Sequence, residues 1–98
     1  MPEPDPILAT FLDPLGRPVI LTAGRWEHIV GGHPELSDLR EAVLETVRHP
    51  SRHLREPRPA EDWYYRAGVG PSRWLKVVVT YAQGRGLIVT AFARRRTP

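Results

Sequence analysis

Apolar residues in the second half of the chain recur with a period of two, whereas those near its middle recur every three or four residues. The spacing therefore predicts strands flanking a helical segment. From Arg73 to Tyr81, Leu75, Val77, Val79 and Tyr81 share one face and Trp74, Lys76, Val78 and Thr80 the other. From Leu87 to Arg94, Ile88, Thr90 and Phe92 oppose Leu87, Val89, Ala91 and Ala93. A further run, Trp63 to Ala67, precedes them, and Gly-Val-Gly-Pro-Ser and Ala-Gln-Gly-Arg-Gly separate the three as turns of a meander. Upstream, Leu36, Leu39, Val43 and Val47 mark a helix that starts at Pro34 and ends before Pro50. Thr22 suits the N-cap of a shorter helix through Trp26 and Val30, stopped by Gly31-Gly32. Ile7 to Leu12 and Arg17 to Thr22, joined by Asp13-Pro14-Leu15-Gly16, read as a small β-hairpin capping the domain. The polar, arginine-bearing stretch from Ser51 to Asp62 is either an irregular edge strand or a loop.

The expected fold is α+β: a hairpin and two helices packed on an antiparallel sheet of about three to four strands. Residues 7–98 are expected to form one domain behind a disordered proline-rich tail, residues 1–6. Its 98 residues allow only a thin core, with ~60–65% of the unfolded surface buried. One sheet face must take the helices, and the other, with Lys76 and Thr80 beside aromatics, stays partly open as a binding surface. The absence of cysteine excludes disulfides and thiolate metal sites. No apolar run approaches the ~20 residues of a membrane span, and the start lacks a signal-peptide pattern, so a soluble cytoplasmic protein without a membrane partner is expected.

Charge adds direction. Residues 63–98 hold seven Arg and Lys and no Asp or Glu, whereas residues 1–62 hold seven basic and eleven acidic residues. The basic half is the sheet half, which favours a polyanion, nucleic acid, over the blander reading of an arginine-rich solvated surface. His28, about 200° around the first helix from Trp26, is expected to be accessible. His33 stands at the entry of the second helix, where free amides and the helix dipole favour an anion. Each is an acid/base candidate or simply a surface residue and a helix cap. Lys76, the only lysine, lies in the most apolar strand; its ammonium either meets a phosphate or snorkels to solvent. Thr80 or Thr90 can hydrogen-bond the same phosphate. Arg55, Arg58, Arg66 and Arg94-Arg95-Arg96 can clamp a backbone, and Tyr64, Tyr65 and Trp74 can stack on bases or fill the core. No metal or glycine-rich phosphate motif is present.

Trp26-Glu27-His28-Ile29-Val30, His33-Pro34-Glu35-Leu36, a second helix, an arginine-bearing stretch, and strands containing Tyr64-Tyr65-Arg66, Leu75 to Tyr81 and Ile88 to Phe92 follow one another here. Across residues 19–96 this order resembles the small phage-associated nucleases of the barnase/EndoU/colicin/RelE fold. The resemblance implies helices against an antiparallel sheet and a toxin-like endoribonuclease that needs no metal or other cofactor. It implies RNA as substrate and an antitoxin or immunity protein as partner. Carried over, His28 or His33 is the acid/base, Arg55, Arg66 and Lys76 are phosphate contacts, and Thr90 completes the site. The RNA 2′-hydroxyl would attack the adjacent phosphate. Gly32 departs from the pattern, since an Arg often precedes the histidine-proline pair. The alternatives are a non-catalytic RNA- or partner-binding module of the same fold and a phage-assembly accessory.

Overall fold

A computed structural model of the chain describes residues 4–69 and 74–95. Among them the elements are β1 (Ile7–Leu12), β2 (Pro18–Thr22), α1 (Ala23–Gly32), a single 3-10 turn (Pro34–Leu36), α2 (Arg40–Arg48), β3 (Arg52–Arg58), β4 (Glu61–Ala67), β5 (Trp74–Ala82) and β6 (Arg85–Arg94). The strands form one sheet in the order β1-β2-β6-β5-β4-β3, antiparallel throughout except where β2 runs parallel to β6. The α+β class stands, but the sheet is mixed and six-stranded rather than antiparallel with three or four strands.

Two segments account for the difference. The hairpin does not merely cap the domain. β6 extends to Arg85, and Val19 and Ile20 of β2 pair with Gly86 and Leu87 along its free edge. Gly86 permits this approach, because a Cβ there would lie 2.8 Å from both Val79 Cγ1 and Tyr81 Cε1 and 3.0 Å from Val19 Cγ2. Residues 52–58, one of whose two readings was an edge strand, pair with β4 through Arg52↔Tyr65, His53↔Tyr64 and Leu54↔Trp63 before the register shifts. The Gln83-Gly84 turn joining β5 and β6 has both residues at positive φ, 54° and 75°, the conformation of a tight type I′ hairpin.

Thr22 caps α1 as its sequence position suggests, its Oγ1 accepting the Arg25 N–H at 3.2 Å. Asp5 adds a second cap that the proline-rich context concealed, its Oδ1 accepting the Gly24 N–H at 2.8 Å. The second helix begins six residues later than predicted. Pro34 opens only the 3-10 turn, whose Leu36 and Ser37 N–H groups donate to His33 and Pro34 carbonyls; α2 proper starts after Leu39. The expected strand start at Arg73 and most of the Gly-Val-Gly-Pro-Ser turn lie outside the described residues.

The core lies between the helices and one sheet face. Leu75, Val77 and Val79 of β5, Ile88 and Ala91 of β6, Val19 and Leu21 of β2 and Tyr64 of β4 pack with Ile29, Leu36, Val43 and Val47. The period-two stripe of β5 thus meets the helical stripes, but the expected alternation of β6 slips at a register shift: Ile88 and Ala91, three residues apart, both face the core, and Thr90 and Phe92, expected to side with Ile88, lie on the face away from the helices. No described helix is long and apolar enough to cross a membrane.

Candidate nucleic-acid interface

The cross-strand pairs fix what the face away from the helices presents; expected to be partly open, it is closed at its centre, where Tyr65, Lys76 and Val78 are buried, and partly exposed only around them. Tyr65, Lys76 and Phe92 lie abreast on β4, β5 and β6, with Trp63, Val78 and Thr90 in the next row. Lys76 Nζ sits 3.5 Å from the Trp63 ring centre, 5.5 Å from that of Phe92 and 5.6 Å from that of Tyr65, an ammonium held in an aromatic cage. The lysine is only 8% exposed. Burial pushes its pKa down, the Arg94 and Arg58 charges push it further, and Glu61 partly opposes them. Glu61 also orients the cage, since its Oε1 accepts the Trp63 indole N–H at 2.6 Å.

His33 reaches the same face from α1. Where β2 ends, α1 takes its place along β6, and the Arg25 guanidinium donates to the Val89 carbonyl at 2.7 Å, tying the helix to the strand beside the sheet's register shift. His33 then terminates α1, its N–H donating to the Ile29 carbonyl. Its imidazole stacks on Phe92, with ring centres 5.7 Å apart and planes at 30°. Nδ1 lies 3.6 Å from Glu35 Oε1, and the side chain is half exposed. The free helix N-terminus inferred at His33 is absent, because a three-residue 3-10 turn, not a helix, follows it.

His33, Lys76, Thr90, Tyr65, Arg58 and Arg94 are thus brought to one face or its margin. Other candidates are not. Arg66 pairs with Leu75 on the helix side, and its Nη1 donates to the His49 carbonyl at 3.0 Å, closing the end of α2. A one-residue step along a strand reverses the face, which separates Arg66 from Lys76. His28 is exposed on α1, as expected, but among the described residues nothing links it to the Lys76 cluster. Tyr65 is 1% exposed and serves as cage wall rather than stacking platform; Trp63, Trp74 and Phe92 are the half-exposed rings. Thr80 Oγ1 already donates to the Ala60 carbonyl at 3.3 Å. Arg95 is exposed beyond β6, and Arg96 lies outside the described residues.

Arg55 belongs to a second site that the sequence reading missed. It lines a cleft of about 300 Å³ with Arg17, Glu56, Ala60, Asp62 and Tyr81. Asp13 Oδ2 accepts from Arg17 Nε at 2.7 Å and from the Tyr81 hydroxyl at 2.8 Å; Tyr81 in turn shares a 2.6 Å hydrogen bond with Tyr64. Asp62 Oδ2 accepts from Arg17 Nη2 at 2.8 Å and bonds His53 Nε2 at 2.7 Å, while Oδ1 accepts the Glu56 N–H at 3.1 Å. The His53 ring stacks on Tyr64 at 4.1 Å, and the Arg17 guanidinium lies 3.7 Å over the Tyr81 ring. Burial alone would raise both carboxyls, but these hydrogen bonds outweigh it and hold them below the ordinary carboxylate range. Burial pushes the Tyr64 hydroxyl up to about 12. The parity of β4 was the available signal: Asp62, Tyr64 and Arg66 must share one face, so a carboxylate was bound to lie toward the helix side.

Among the described residues no three His, Cys, Asp or Glu side chains gather as a metal site. No protein-family model, curated protein or solved structure matches the chain.

Proposed function

We propose that the sheet face away from the helices binds single-stranded RNA and cleaves it as a toxin-like endoribonuclease, with His33 as the acid/base group and Lys76, Arg58 and Arg94 as the cationic surround. The observation that carries this reading is the meeting of His33 and Lys76 around one ring, Phe92, with Thr90 in the adjacent row. A histidine removes the 2′-hydroxyl proton, the 2′-oxygen forms a bond to phosphorus, and the P–O5′ bond breaks. The leaving 5′-oxygen takes a proton, for which the lysine of lowered pKa is the suited donor. The products are a 2′,3′-cyclic phosphate and a 5′-hydroxyl. Guanidinium groups near the phosphate counter the charge that accumulates in the transition state. The half-exposed Trp63, Trp74 and Phe92 give unpaired bases surfaces to stack on. Two helices packed against one face of the sheet also accord with the barnase/EndoU/colicin/RelE-type reading of the sequence, which implies an antitoxin or immunity protein as partner.

The enclosure of Lys76 favours a second reading. An ammonium walled by three rings projects positive potential through an aromatic surface without reaching phosphorus, which suits a non-catalytic RNA-binding module. One experiment separates the two. Purified protein is incubated with a labelled RNA single strand in EDTA, and binding is titrated against salt. Cleavage leaving 2′,3′-cyclic phosphate ends is the expected result. Salt-sensitive binding with intact RNA would assign the face to the binding module, and the absence of both would remove RNA as the partner.

A further inference from the structure

The four large hydrophobic side chains that stand exposed among the described residues all lie on β1 or its turn: Ile7 at 59%, Leu8 at 40%, Leu12 at 61% and Leu15 at 49%. β1 is also the terminal strand of the sheet, so its outer edge offers backbone N–H and C=O groups for pairing. The two edges of this sheet are built differently. Each edge strand has one register shift, between Ile7 and Ala9 on β1 and between Leu54 and Arg58 on β3, but β3, at the far end, also carries three arginines, a glutamate and a proline, which discourage pairing with another strand. β1 has no charged residue and no proline. An unprotected apolar edge opposite a protected one is the mark of an edge that pairs.

We propose that β1 pairs antiparallel with β1 of a second copy of this chain, joining two six-stranded sheets across a two-fold axis. The residues themselves select this occupant. Leu8, Thr10 and Leu12 are alternate residues of the strand, and the pattern Leu-x-Thr-x-Leu reads the same in both directions. Antiparallel pairing centred on Thr10 sets Thr10 against Thr10 of the second copy and Leu8 against Leu12, both favourable cross-strand pairs. The chain has a formal charge of +3, so two copies repel over much of their surface, and this strand is where they meet without opposing like charges. A different protein would need a complementary feature that an uncharged strand does not specify. The inference does not rest on the RNA reading: Leu8, Thr10 and Leu12 share the sheet face of Lys76, but β2 and β6 stand between them and β5.

The test uses the full chain, which lacks cysteine. Directly opposed residues of an antiparallel pair have Cα atoms roughly 4.5–5.5 Å apart, within disulfide reach. Thr10→Cys is expected to form a disulfide dimer on air oxidation at least ~10-fold faster than Arg55→Cys on the opposite edge. Sedimentation of the wild type is expected to show a shift from one to two chain masses between ~10 and ~500 µM. The double variant Leu8→Lys/Leu12→Lys, checked by far-UV circular dichroism to be folded, is expected to weaken that association by at least ~10-fold. A wild type that stays monomeric over this range, with Thr10→Cys oxidising no faster than Arg55→Cys, would overturn the proposal and leave the edge to a different protein.

Discussion

Asp13 and Asp62 show how single residues hold distant parts of the chain together. Asp13 lies in the first turn and Asp62 on β4, and Arg17 bridges them with bonds of 2.7 and 2.8 Å. Because hydrogen bonds depress both carboxyl pKa values below 3.8 in the folded protein, the unfolded chain takes up these protons first as pH falls. Their stabilisation is therefore complete above the ordinary carboxylate pKa and is lost as pH falls through the lower folded values. Urea midpoints measured at pH 6 and pH 3 should show this loss, and Asp62→Asn should shrink the difference between them. Asp62→Ala, which deprives Arg17 and His53 of an acceptor, should cost ~2–4 kcal/mol by the same measurement. Equal midpoints for wild type and Asp62→Ala would show the network to be inert. Little of it was legible in the sequence, since Asp13 reads as an ordinary turn residue and His53 as part of a polar stretch. Only the fold brings the turn to the ends of β4 and β5.

At the scale of elements, local patterns were enough where an element's own residues decide its form. The helix-facing alternation of β5, the Thr22 cap and the tight turns follow from period, hydroxyl chemistry and glycine. They fail where a neighbour decides. Pairing of β2 with β6 depends on the missing side chain of Gly86, a contact between residues far apart in sequence. Gly86→Ala should therefore destabilise the protein by ~1–3 kcal/mol, measured as a lower urea midpoint, because its Cβ would meet three side chains within 3.0 Å. The β5–β6 turn gives the opposite prediction. Gln83 holds φ 54° without being glycine. Replacement by Gly, or by Asn, which tolerates that region, should raise the midpoint by ~0.5–1 kcal/mol equivalent. A fall would mean that the Gln83 side chain makes a contribution larger than its backbone strain.

Over the whole molecule, the sheet divides the chemistry. The helix side holds the core and the Asp13–Arg17–Asp62–His53 network around Tyr64 and Tyr81; the other side holds the caged lysine. Strand parity made the β5 part of that second face readable, but not the β6 part: alternation sets Thr90 and Phe92 with Ile88, whereas a register shift turns Ile88 into the core and leaves Thr90 and Phe92 beside Val78 and Lys76. His33 joins them only because α1 replaces β2 beside β6, which no local pattern encodes, and His28 on the same helix does not join them. That contrast sits at the centre of the functional account. The most direct test compares His33→Ala and His28→Ala with wild type for initial rates of cleavage of a labelled RNA single strand in EDTA. The account predicts a loss of ~10²-fold or more for His33→Ala and near-wild-type rates for His28→Ala. An active wild type whose rate survives His33→Ala, or falls instead with His28→Ala, would contradict it.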